Sequence, residues 1–146
     1  MQLMELRERV DSVIAGAGIA GLSAALFLAR AGRSTVVYDA GSSRILATER
    51  VREFLGFHAW TPHEMLRKAR EEVLLYGGTI HEATVERIEP RRDGLLDVWT
   101  TSGGITARTV VLATGLVDVL PPLKDLPEVW GRDLRVCPCF SGHFEA

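Results

Sequence analysis

The stretch VDSVIAGAGIAGLSAALFLARAGRSTVVYDAG, residues 10–41, decides the fold because its residue pattern changes twice within it. A short β-branched apolar run meets glycines at Gly16, Gly18 and Gly21, and a long Ala/Leu run with helical spacing follows. A second apolar run, STVVYDAG, then closes on Asp39, Ala40 and Gly41. Strand, tight turn, helix and strand in that order predict a βαβ unit with parallel strands and a right-handed crossover.

Outward from this unit, the link from Gly41 to Thr61 carries no periodic pattern. TPHEMLRKAREEVLLYGG then reads as a helix, with Thr61 as N-cap, Pro62 at the first helical position, Glu64 at the capping-box position and Gly77 or Gly78 as the stop. Met65, Leu66, Ala69, Val73 and Leu74 recur every three or four positions, which predicts one face packed on a sheet. TIHEATVERIEP, LLDVWTT and ITARTVVLATG alternate as strands, joined by the turn-rich links RRDG and SGG, and predict a three-stranded antiparallel meander packed on one side of the parallel sheet. After Gly115 the chain turns proline-rich, LPPLKDLPEVWGRD, and the shift in composition marks a domain boundary.

A chain of 146 residues with 47% hydrophobic content is about one domain with an ordinary core. Seventeen basic and nineteen acidic residues give a net charge of −2, without the block of like charge that nucleic acid or a membrane surface would select. The longest apolar stretch contains Arg30 and is too short for a bilayer, and MQLMELRERVD lacks the apolar centre of a signal peptide. A cytoplasmic protein with no nucleic-acid or membrane partner is expected. In a reducing compartment its two cysteines, Cys137 and Cys139, suit free thiols, metal ligands or a redox pair better than a structural staple.

Gly16, Gly18 and Gly21 form GxGxxG between a strand and a helix, and Asp39 ends the next strand. Each glycine has a separate physical reason to be there. Gly16 permits the tight turn, Gly18 lets backbone approach a pyrophosphate, and Gly21 lets helix and strand pack closely. The helix N-terminus offers amides to the anion, and the Asp39 carboxylate can accept hydrogen bonds from an adenosine ribose. The fingerprint fits NAD and FAD alike. An NAD domain of the doubly wound kind would continue with more βα units, whereas this chain turns into a meander ending on VVLATG.

With these features, the sequence resembles the flavoproteins built from two dinucleotide-binding domains, and DAGSSR, EFLGF, TPHEMLRKAREEVLLYGG, LATGLVDVLPPL and EVWGRDLRVCP are similar to the thioredoxin reductase-like group. The resemblance implies an α/β, Rossmann-like FAD-binding domain over residues 1–120, followed by a crossing segment, 121–146, that leads toward an NADPH-binding domain. It implies Gly16, Gly18 and Gly21 around the pyrophosphate, Asp39 on the ribose, Arg44 near the phosphates and Val85 near the adenine. Ala113, Thr114 and Gly115 are implied to lie close to the cofactor.

Two departures stand out. The family carries a CxxC pair after this point, and here Cys137 is followed by Pro138, Cys139 and Phe140, so that Phe140 takes the second cysteine's place when no gap is allowed. Redox-active thiols with Cys137 and Cys139 as the catalytic pair, inert cysteines, and a metal site using His143 all stay open, and no metal is expected. The family's second GxGxxG, for NADPH, and its late Gly-Asp segment are not in this sequence, so the domain is expected to be incomplete relative to the family and to use NADPH only if a second domain is supplied. When completed by another chain that supplies the missing half, the expected enzyme is an FAD-dependent thiol-disulfide oxidoreductase, and a homodimer is also an expected assembly. It would transfer electrons between a nicotinamide cofactor or oxygen and a small-molecule or protein thiol or disulfide. The alternatives are a non-catalytic flavin- or nucleotide-binding module or partner subunit, and a plain NAD-binding module.

Overall fold

The computed structural model describes residues 6–52, 54–130 and 133–134, with side chains from residue 9 onward. Cys137, Cys139 and His143 lie outside the described residues. The chain divides into two compact units, one comprising Met1–Ser43 and Ala69–Gly115, the other Arg44–Lys68 and Leu116–Ala146.

In the first unit, β1 (Leu6–Ala15), α1 (Ile19–Arg30) and β2 (Thr35–Asp39) realise the βαβ unit. β1 and β2 are parallel, with Val13 opposite Val36 and Ile14 opposite Val37. Every residue of β2 is buried, as expected of a strand covered on both faces. α1 packs on β1 and β2 through Gly21, Leu22, Ala25 and Ala29. The ends of the connection are tied together, since the Asp11 carboxylate accepts hydrogen bonds from both the backbone N–H and the hydroxyl of Ser34. Those two bonds hold the Asp11 carboxyl below its ordinary pKa.

The second helix, α2 (Pro62–Leu75), begins in one unit and ends in the other. Its capping box is formed: Glu64 N–H donates to Thr61 Oγ1 at 3.2 Å and Thr61 N–H donates to Glu64 Oε2 at 2.9 Å. Met65, Leu66 and Val73 are buried, but Leu74 is 54% exposed, so the inward stripe is narrower than the sequence spacing predicts. Gly77 stops the helix with φ +82°, and the N–H groups of Gly77 and Gly78 donate to Leu74 and Val73 carbonyls.

The run TIHEATVERIEP is two strands, not one. β3 (Thr79–Glu82) pairs parallel with β2, whereas β4 (Val85–Pro90) pairs antiparallel with β5 (Leu96–Thr100). β6 (Gly103–Leu112) is antiparallel to β5 along Gly103–Ala107 and parallel to β1 up to Leu112. All six strands thus form one mixed sheet, ordered β3-β2-β1-β6-β5-β4, and the meander is continuous with the parallel strands rather than a separate layer. Its core gathers Val10, Val13, Val36, Tyr38, Ala83, Val98, Ile105 and Ala107 from both halves.

The second unit contains a 3-10 turn at Arg44–Ala47, a bridge between Val51 and Trp60, and a short helix α3 (Leu126–Val129). Phe57 makes edge contacts with Phe54 and Trp60, the latter at 5.1 Å between ring centroids.

Candidate functional site

The carboxyl ends of β1, β2 and β6 meet at the glycine loop. Gly16 N–H donates to the Tyr38 carbonyl at 2.8 Å, and Ala113 N–H donates to the Ala15 carbonyl at 2.9 Å. Gly16 has φ +107°, and a Cβ there would overlap the Ala113 carbonyl oxygen. A Cβ on Gly21 would overlap the Gly16 carbonyl oxygen and press on the Ala113 side chain at 3.3 Å. These two glycines are therefore demanded by the protein itself. They also bring together GxGxxG and Ala113-Thr114-Gly115, which lie about a hundred residues apart in sequence.

Gly18 differs. Its φ of −73° and ψ of 179° suit any residue, and an added Cβ would meet only the Ser43 hydroxyl oxygen, at an ordinary 3.5 Å. No backbone strain and no neighbour among the described residues requires a glycine there. Gly18 is the N-cap of α1, no side chain caps the helix, and the first turn has no acidic residue. The first amides of α1 have no intrahelical partner, and with the helix dipole they present a positive end where Gly18 adds no Cβ. Such a cradle fits a phosphate anion of a dinucleotide.

Asp39 closes β2 and is 9% exposed. Its Oδ1 accepts from Gly41 N–H at 3.0 Å, and its Oδ2 is ion-paired with the guanidinium of Arg70 on α2. Ala83 N–H donates to the Asp39 carbonyl at 3.0 Å, which fixes the strand end from the β3 side. Two residues later Val85 opens β4, half-buried against the core. The sequence pattern missed Arg70. It follows Leu66 by four positions and precedes Val73 by three, so it occupies the inward stripe of α2, where a cation without a carboxylate partner would be costly.

Gly115 has φ +68°, and a Cβ there would meet open space. Arg44 lies in the other unit, where its Nε and Nη2 donate to Asp118 at 2.8 and 2.7 Å in a bidentate pair. Among the described residues no His, Cys, Asp and Glu side chains cluster in a form that could hold a metal ion. Trp99 packs on the meander surface, donating from Nε1 to Glu89 and lying under Arg87. A cavity of about 610 Å³ opens mainly on residues such as Thr35, Thr79 and Gly103, at the amino ends of their strands, with Val10 and Tyr38 further along theirs. In open α/β sheets ligands bind beyond the carboxyl ends, which favours the glycine loop over this cavity.

The family model for pyridine nucleotide-disulphide oxidoreductases matches residues 10–140. The chain belongs to this family. Its similarity runs to thioredoxin reductases: it is 34% identical over 132 residues to thioredoxin reductase sirT of Leptosphaeria maculans, covering 87% of this chain and 40% of that protein. It is 30% identical over 139 residues to the thioredoxin reductase of Treponema pallidum, covering 92% and 44% respectively. The crystal structure of the oxidoreductase from Agrobacterium tumefaciens superposes with a TM-score of 0.83 at 33% identity, over 92% of this chain and 46% of that one. The chain thus spans less than half the length of these pyridine nucleotide-disulphide oxidoreductase relatives. Their mixed α/β, Rossmann-like fold is the one described above. No described helix is long and apolar enough to cross a membrane.

Proposed function

We propose that the chain is the FAD-binding portion of a thioredoxin reductase-like flavoprotein, with the domain over residues 1–120 and the crossing segment over 121–146. The observation that supports this most is Gly18, a glycine that the fold does not need, placed where a pyrophosphate would approach the uncapped end of α1. In this proposal the amides at Gly18 and the first turn of α1 hold the pyrophosphate, with Gly16 and Gly21 shaping the loop. Asp39 orients the adenosine ribose, Val85 borders the adenine, and Ala113, Thr114 and Gly115 line the cofactor's side. A phosphate role for Arg44 rests on the family resemblance alone.

Bound FAD would supply the electron-carrying chemistry. Cys137 is proposed as the thiol that exchanges with a substrate disulfide, with Cys139 as its resolving partner, in a cytoplasmic, reducing setting. The substrate is a small-molecule or protein thiol or disulfide, and the electron donor or acceptor is NADPH bound by a further domain, or oxygen. Completion by another chain, or assembly as a homodimer, belongs to the same proposal.

An absorbance spectrum of the purified chain, taken after incubation with FAD and removal of free cofactor, tests the binding assignment. Retained flavin bands are expected. Colourless protein that instead retains NAD would overturn the proposal in favour of an NAD module. Replacing Cys137 and Cys139 by serine should abolish disulfide turnover in the completed enzyme and leave flavin retention unchanged; unchanged turnover would remove the cysteines from the mechanism.

A further inference from the structure

We infer that Arg70 is a positioning residue for the adenosine ribose, acting through Asp39. The inference rests on the nucleotide assignment above and deepens it. A carboxylate that accepts hydrogen bonds from ribose hydroxyls discriminates well only when its oxygens are held in one orientation. Asp39 is held at both: Gly41 N–H occupies one lone pair of Oδ1 at 3.0 Å, and the Arg70 guanidinium occupies one of Oδ2. Each carboxylate oxygen has two acceptor sites, so one on each remains for a ligand hydroxyl. The backbone is fixed as well, through the hydrogen bond from Ala83 N–H to the Asp39 carbonyl.

The surrounding charges show why the cation matters. Glu82 of β3 stands opposite Asp39 in the parallel register, which puts a second acidic residue one strand away on the same side of the sheet. Without Arg70, Asp39 would be a nearly buried carboxylate beside like charge, held at Oδ1 by Gly41 N–H but with Oδ2 unanchored. Arg70 is itself about one-third exposed, with a side-chain exposure of 32% against 10% for Asp39. It approaches the carboxylate from α2. Because its guanidinium is engaged by Asp39, the pair presents an acceptor to the ribose and disfavours a ribose that carries a 2′-phosphate.

The test compares binding of ADP, 2′-deoxy-ADP and adenosine 2′,5′-bisphosphate to the full chain by calorimetry, with far-UV circular dichroism as the folding control. Wild-type protein is expected to bind ADP about tenfold more tightly than 2′-deoxy-ADP, the value of one hydrogen bond to a charged acceptor. In Arg70→Met, which keeps the apolar stem, that preference should fall to about twofold or less. In Arg70→Lys, which keeps the charge without the planar fork, it should fall to about threefold. If Arg70→Met does not fold, the Arg70→Lys ratio decides. A variant that weakens all three ligands equally and keeps the tenfold ratio would show Arg70 to be a packing residue and overturn the inference. So would wild-type preference for the 2′,5′-bisphosphate that disappears in Arg70→Met, since Arg70 would then contact the ligand directly. Wild-type protein that binds none of the three, nor FAD, would instead contradict the nucleotide assignment itself.

Discussion

The glycine loop of the first unit and the Arg44 segment of the second both carry residues expected at a phosphate, yet they treat charge in opposite ways. At the loop, the amides that open α1 are left without a side-chain cap, and Gly18 leaves their approach free of Cβ. In the other unit, Arg44 is satisfied by a bidentate pair with Asp118. Amides without a protein partner can donate to a phosphate directly, whereas the Arg44 Nε and Nη2 donors are already engaged by Asp118. By that standard the loop is the stronger candidate for anion binding.

The loop itself contains both kinds of residue, and substitutions should separate them. Gly21→Ala and Gly16→Ala should have the largest effects, because each new Cβ overlaps a backbone carbonyl and Gly16 also has a positive φ. A loss of about 3 kcal/mol or more is expected for each, seen as absent or unstable protein in a urea titration. Wild-type stability in either variant would mean that the loop is not built as described. Gly18→Ala should cost only about 0.5 kcal/mol of stability but weaken FAD at least about tenfold, which sharpens the contrast within one turn.

Smaller effects are expected in the second unit. Thr61→Ala removes one arm of the α2 capping box and should lower stability by about 1 kcal/mol, without changing the affinity for nucleotide. The pH dependence follows from the same motif. Hydrogen bonds from the Thr61 hydroxyl and backbone N–H hold the Glu64 carboxyl below its ordinary pKa, and the Ser34 bonds do likewise for Asp11. A lowered folded pKa contributes stability above the ordinary carboxylate value, and that contribution is lost as pH falls through the folded value. Thermal unfolding of Glu64→Gln should therefore approach wild type in acid and fall below it at neutral pH. Arg44→Met should have the smallest effect, about 0.5 kcal/mol, since both partners are partly exposed. A tenfold loss of FAD affinity in that variant would restore Arg44 to the phosphate site and erase the contrast between the two regions.

How much of this was legible in the sequence depends on the range of the signal. The βαβ unit, the capping box and the glycine fingerprint are local patterns, and each stands where its spacing predicts. The split between β3 and β4 was hidden because Ala83 and Thr84 interrupt the run without a Gly, Pro or Asn, while the two halves pair at opposite ends of the sheet. Such partners are chosen by tertiary packing, not by propensity. Arg70 was hidden in a helix rich in charge, where one more arginine reads as solvated. Only its place on the inward stripe, opposite Asp39 across 31 positions, marks it as a partner. Arg44 and Asp118 are 74 positions apart, and no local pattern announces a pair of that kind.

The central claim is that Gly18 is a glycine for the sake of a ligand. A fluorescence titration of FAD into wild-type chain and Gly18→Ala, at matched circular dichroism, tests it most directly. The account predicts saturable quenching in the wild type and at least about tenfold weaker binding in the folded variant. Equal affinities in two equally folded proteins would contradict it and place the flavin, if bound at all, away from the mouth of α1.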